Sequence, residues 1–214
     1  MHTVLRATTI TLTELLREQF ETDADLRLCF NPNDGGDMVV TANTPPEMAD
    51  ANEAGLSVWL YRIDRDENLV NQPRPRPAQN RLARRPLPLR LHYLMTPIVP
   101  GEKSGNAGPH LEQAFVGKVL QTFHDLPTLT GVRLRDDLAS SDARITVRWE
   151  PMGLEEITRV WDALEASYNL CVSYEVSVLL VDSASESSSV ADVTSVDARP
   201  GIARPQVPAE AVTP

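Results

Sequence analysis

Four histidines, two cysteines and a few clustered carboxylates are the side chains of this 214-residue chain best suited to chemistry. The histidines are His2, His92, His110 and His124, and none is spaced to pair with a serine, a cysteine or a second carboxylate. His124 stands beside Asp125 at a predicted helix end, where the dipole favours a cation. His92 falls on a predicted strand, facing away from its leucines. A nucleophile elbow, G-x-S-x-G, does not occur. Lys103-Ser104 lies near glycines and before a helix, but a phosphate loop needs glycine just before the lysine and five residues earlier. Glu102 and Pro97 occupy those places, so the stretch reads as a surface loop. Asp64, Asp66 and Asn68 are spaced like the first ligands of a calcium loop, without its turn glycine or bidentate glutamate. They read, like Arg135–Asp137, as solvated turns. Cys29 and Cys171 each sit in an apolar run and read as free thiols buried on strands. No C-x-x-C or Cys/His cluster accompanies them. The expectation is a protein with no catalytic residue, metal site, cofactor or small-molecule substrate.

The most unusual stretch is "NQPRPRPAQNRLARRP", Asn71 to Pro86, with Arg74, Arg76, Arg81, Arg84 and Arg85, four prolines and no acid. The net charge of the chain is −10, and residues 71–90 hold six arginines without an acid, so the remainder carries −16. An acidic body repels nucleic acid and anionic membranes at long range. The run also lacks the interleaved aromatics on which bases stack. "PRPRP" favours an extended, hydrated conformation. Arginine forks suit carboxylates and are enriched at interfaces. Three readings stand: a solvated loop, a contact with an acidic partner, and a nucleic-acid-binding module using the arginine loop 71–90. The contact reading makes these five arginines the candidate assembly residues.

The elements that must carry these residues follow from periodicity. Val4, Ala7, Leu12, Leu15, Leu16 and Phe20 predict a helix over residues 3–20, against β-branched "TTITLT" at its start. Leu26 to Phe30 reads as a short strand; "MVVTANTPPEMADANEAG" offers a short strand and then a loop. "GLSVWLYRIDRD" predicts a strand with Trp59, Tyr61 and Ile63 on one face and Val58 and Leu60 on the other. "RPLPLRLHYLMTPIV" alternates, Leu87, Leu89, Leu91, Tyr93 and Met95 against Pro88, Arg90 and His92. Pro88 puts the start of that strand after itself or at an edge. Leu170 to Leu180 alternates most cleanly, with Cys171, Ser173, Glu175 and Ser177 on the other face. "ARITVRWEP" is a further strand. Two helices intervene: one on Leu111, Phe115, Val119 and Phe123, opened by proline, and one on Leu154, Ile157, Trp161 and Leu164, with Glu155 and Glu156 in its first turn. This order predicts an α+β fold: a mixed, mainly antiparallel sheet with flanking helices.

After Asp182 the chain turns to Ser, Pro, Ala and Val without an aromatic. It cannot bury enough apolar surface to offset its ordering. The expected organisation is a domain over residues 1–182 and a disordered tail over 183–214. Glu14 and Arg17 interrupt the N-terminal apolar residues, so a secretory leader is not expected, and "VLLV" is far short of a membrane span. The chain reads as made and folded in the cytoplasm, without membrane insertion.

Four stretches in this order, "LSVWLYRI", "PLPLRLHYL", "EEITRVWDAL" and "SYEVSVLLVDS", resemble the tail-terminator, or cap, family of extracellular contractile injection systems. These are phage-tail-like particles of the Photorhabdus virulence cassette and antifeeding prophage type. The resemblance covers residues 1–182 and lies in order and spacing, not in a catalytic motif. It implies a structural protein of a tail terminator-like fold: a homohexameric ring at the baseplate-distal end that contacts the last layers of inner tube protein and sheath protein and stops their growth. It implies no enzyme activity, metal or cofactor; separately, no nucleic-acid partner is expected. The particle, assembled in the cytoplasm, is then either cytosolic or released. A baseplate or other adaptor of the same particle is the neighbouring alternative.

Overall fold

A computed structural model describes residues 2–67, 87–100, 107–139 and 141–178. Its centre is a six-stranded sheet in the order β1-β2-β3-β6-β5-β4. The strands are β1 (Val39–Thr41), β2 (Gly55–Arg65), β3 (Leu89–Ile98), β4 (Thr128–Thr130), β5 (Arg144–Glu150) and β6 (Val172–Val178). Only β1 and β2 pair parallel; the other pairs are antiparallel. Helices α1 (Val4–Thr22) and α4 (Gly108–Asp125) contribute to the main core on one face of the sheet. Helix α5 (Leu154–Ala163) packs on the other through Trp161 and Ile157, against Leu94, Trp59 and Tyr61. The expected α+β architecture is therefore present.

The β-branched start of α1 is tolerated because its hydroxyls turn back on the helix. Thr8, Thr9, Thr11 and Thr13 each donate to the carbonyl four residues earlier. Two also reach outward: Thr9 meets the Tyr93 hydroxyl at 2.8 Å, and Thr11 accepts the Arg135 amide at 3.1 Å. Leu12, Leu15, Leu16 and Phe20 then face the core.

The expected strand at Leu26–Phe30 is instead a short helix, α2 (Arg27–Phe30). The Asp23 carboxylate accepts the amides of Asp25 and Leu26 and starts a turn. That turn delivers Phe30 to Phe20 and Phe115, with ring centroids 4.6 and 5.0 Å away. Cys29 is consequently half-buried on a helix, while Cys171 is buried as expected but lies just before β6 rather than on a strand; both thiols are free. The expected loop after β1 contains a helix, α3 (Pro45–Asp50), whose capping box joins Thr44 and Glu47. It connects β1 to its parallel neighbour.

In β2 the register slips between Leu60 and Arg62, leaving Tyr61 as the bulged residue. Val58 and Leu60 point into the main core; Trp59 and Tyr61 point to the α5 side. Beyond the bulge Ile63 pairs with core residue Leu91 and Arg62 with His92. Ile63 therefore lies opposite Trp59 and Tyr61, contrary to strict alternation, and is exposed. Leu154 is likewise exposed, so the packed stripe of α5 starts at Ile157. In β3 the alternation holds, and Pro97 sits beyond the last residue paired with β6, Met95 opposite Val172, so its missing amide hydrogen costs that ladder nothing.

Candidate functional site

The bulge in β2 places Arg62 and Asp64 on the polar face of the sheet, over β3, β5 and β6. His92, buried in β3, has Nδ1 2.9 Å from the Glu150 carboxylate and Nε2 3.1 Å from Asp64. Arg62 reaches Glu150 at 3.1 Å and Asp64 at 3.0 Å. Ser173 donates to Glu150 at 2.8 Å, and the Tyr61 hydroxyl donates to it at 3.2 Å. Next along the face, Arg90 pairs with Asp66 at 3.0 Å and Glu175 at 3.4 Å. The cleft over these groups holds about 600 Å³.

Electrostatics bind the cluster together. Burial alone would raise Glu150, but hydrogen bonds from His92 and Ser173 and the nearby Arg62 charge bring it below the usual carboxylate range. Burial, aided by the Glu150 charge, pushes the Tyr61 phenol up to about 12. Ser173 gives its proton to a carboxylate already engaged by His92 and Arg62. The arrangement therefore ties four strands across one face. Among the described residues, no three His, Cys, Asp or Glu side chains converge as a metal site would. No helix among them is long and apolar enough to cross a membrane.

The opposite face carries a second feature. At the end of α4 a groove of about 670 Å³ is lined by Leu120, Gln121, Phe123, His124, Pro127, Trp149 and Tyr174. Phe123 and Tyr174 lie 4.9 Å apart, and Trp149 beside them is 64% exposed. Burial pushes Tyr174 up to about 12. Among the described residues, the lining contains no lysine or arginine.

Arg74, Arg76, Arg81, Arg84 and Arg85 lie outside the described residues, as do Lys103, Ser104 and Asn68. The ends of the arginine segment are fixed: Arg65 pairs with Leu89, and the Asp66 amide donates to the Pro88 carbonyl at 3.0 Å. Its mouth is therefore the β2–β3 hairpin end of the sheet. The division expected at Asp182 also lies beyond the last described residue, Val178. Of the acids expected in solvated turns, Asp66 is buried against Arg90, and Asp136 holds Arg6 at 2.8 Å. Spacing offered no partner for His92; Glu150 is 58 residues away and meets it only through the strand order. Trp149 had a signal: Ile145, Val147 and Trp149 alternate on one face of "RITVRWE".

The fold is of the tail-terminator class. It is similar to the anti-feeding prophage cap, a tube-terminating cap, with a TM-score of 0.54 and 18% identity over 85% of this chain. The chain spans 62% of that cap's length. A second similar structure, the PVC sheath/tube terminator of an extracellular contractile injection system in its extended state, has a TM-score of 0.45 and 16% identity, over 71% of this chain and 52% of that one. No curated protein matches. The Pvc16 N-terminal domain family matches residues 7–195, and the chain belongs to that family.

Proposed function

We propose that this protein caps the tail of a phage-tail-like contractile injection system. Six copies form a ring at the end away from the baseplate, seat on the last layer of inner tube and of sheath, and stop the growth of both. The protein acts by shape and contact, with no chemical step, cofactor or small-molecule substrate. One observation carries this reading: a family match along residues 7–195 in a chain with the fold of a tube-terminating cap. The physics is consistent with it. A ring is a head-to-tail assembly that closes, so each subunit needs two different contact surfaces. Six copies on a six-fold polymer end gain avidity from individually weak contacts. The interlocked ion pairs on the polar sheet face fit a rigid structural part better than a catalytic one.

The test is imaging of particles assembled without this protein. Over-long or ragged tubes and sheaths are expected, restored to uniform length by adding the chain back. Tails of normal, uniform length in its absence would overturn the reading.

A further inference from the structure

The groove beside Trp149 has a largely apolar, aromatic lining. Three aromatic rings, Phe123, Trp149 and Tyr174, line it with Pro127, and neither lysine nor arginine is among the described lining residues. Trp149 is 64% exposed. Aromatic-lined grooves of this kind take up proline-rich extended strands, whose rings stack on the aromatics at small entropic cost. Arginine side chains add cation–π contacts with tryptophan and tyrosine. The chain's densest proline–arginine sequence is "PRPRP" at Pro73–Pro77, within a stretch free of acids. The remainder of the chain carries −16, so the arginine segment of one copy is attracted at long range to the body of another, while the described groove lining itself holds no acid.

We propose that the groove is the docking site for the proline–arginine segment of a second copy of this chain, centred on Pro73–Pro77. The assignment rests on the ring reading only in supplying the neighbour. The segment leaves from the β2–β3 hairpin end of the sheet, whereas Trp149 and Tyr174 pair several residues away from that end. Donor and acceptor are different surfaces, so the contact propagates head to tail.

The experiment uses a fluorescein-labelled peptide of residues 70–87 and the full chain carrying alanine at Pro73, Pro75 and Pro77 and serine at Arg74, Arg76, Arg81, Arg84 and Arg85, changes that remove its own competing donor. Saturable binding that weakens with salt is expected. It should fall at least tenfold in the same chain with Trp149→Ala, and at least tenfold when Pro73, Pro75 and Pro77 of the peptide become alanine. Because the second change is in the peptide, folding of the acceptor cannot confound it. Equal binding after either change would overturn the proposal. If the wild-type chain excludes the peptide even at dilutions where it is monomeric, the groove is filled by its own segment, and the second-copy assignment fails. Chains that form rings and cap tails but ignore the peptide would also sink this contact while leaving the terminator reading standing. Peptide capture dependent on Trp149, with tail length uncontrolled by the protein, would support the contact and overturn the terminator reading.

Discussion

Glu150 is the residue on which the polar sheet face depends. It accepts from His92, Arg62, Ser173 and Tyr61, side chains of the three strands β3, β2 and β6. Glu150→Gln keeps the shape and removes the charge that these donors address. Partial solvent access limits the expected loss at neutral pH to about 1–2 kcal/mol. The pH dependence has a definite sign. The Glu150 carboxyl is held below its ordinary range in the fold, so its contribution is present above that range and is lost as pH falls through the folded value. Urea unfolding from neutral to acid pH should therefore show wild type and Glu150→Gln converging on acidification. A gap that stays constant into the acid range, or no gap at neutral pH, would contradict this role.

At the scale of elements, β1 and β2 meet closely at Gly55. Its φ is +139°, and a Cβ there would lie 1.9 Å from the Val39 carbonyl oxygen. Gly55→Ala should therefore cost roughly 3 kcal/mol or more by forcing the parallel pair apart. Gly117, inside α4, has nothing within 4 Å of the place a methyl group would take, so Gly117→Ala should gain about 0.5–1 kcal/mol from helix propensity. Melting temperatures of the two variants should move in opposite directions. Several elements are legible in the residues alone. β3, β5 and β6 alternate because one face of each meets the main core, and periodicity reveals them even though β3 is covered on its other face too. α1 is legible despite its threonines because its leucine stripe outweighs a propensity cost that the back-bonded hydroxyls reduce. Leu26–Phe30 misleads because five residues are too few to separate strand from helix, and the Phe20–Phe30–Phe115 contact that settles it is tertiary. α3 does have a signal, T-x-x-E at Thr44–Glu47. The bulge at Tyr61 has none, because it depends on how β2 meets β3; hence neither Ile63 nor the partners of His92 can be placed from spacing.

For the whole molecule, charge is unevenly distributed along the chain. Five arginines of the 71–86 stretch, emerging at one sheet end, belong to a chain whose remainder is acidic. In the proposed ring, opposite charges on different segments of one subunit would steer copies head to tail and penalise head-to-head encounters. Such contacts are screened within about 8–10 Å at ordinary ionic strength, so each is weak unless ring closure multiplies it. Arg74, Arg76, Arg81, Arg84 and Arg85 changed together to serine should thus leave the melting curve of the subunit near that of wild type. Ring formation, or attachment to tail ends, should be lost. Native mass spectrometry of the purified chain reads the first, and electron microscopy of tails assembled with the variant reads the second. Changing the same arginines to lysine should restore assembly in part, since charge is kept while the planar fork that pairs with carboxylates and stacks on aromatics is not. Capped tails of normal length from the serine variant would overturn the assignment of these arginines to assembly.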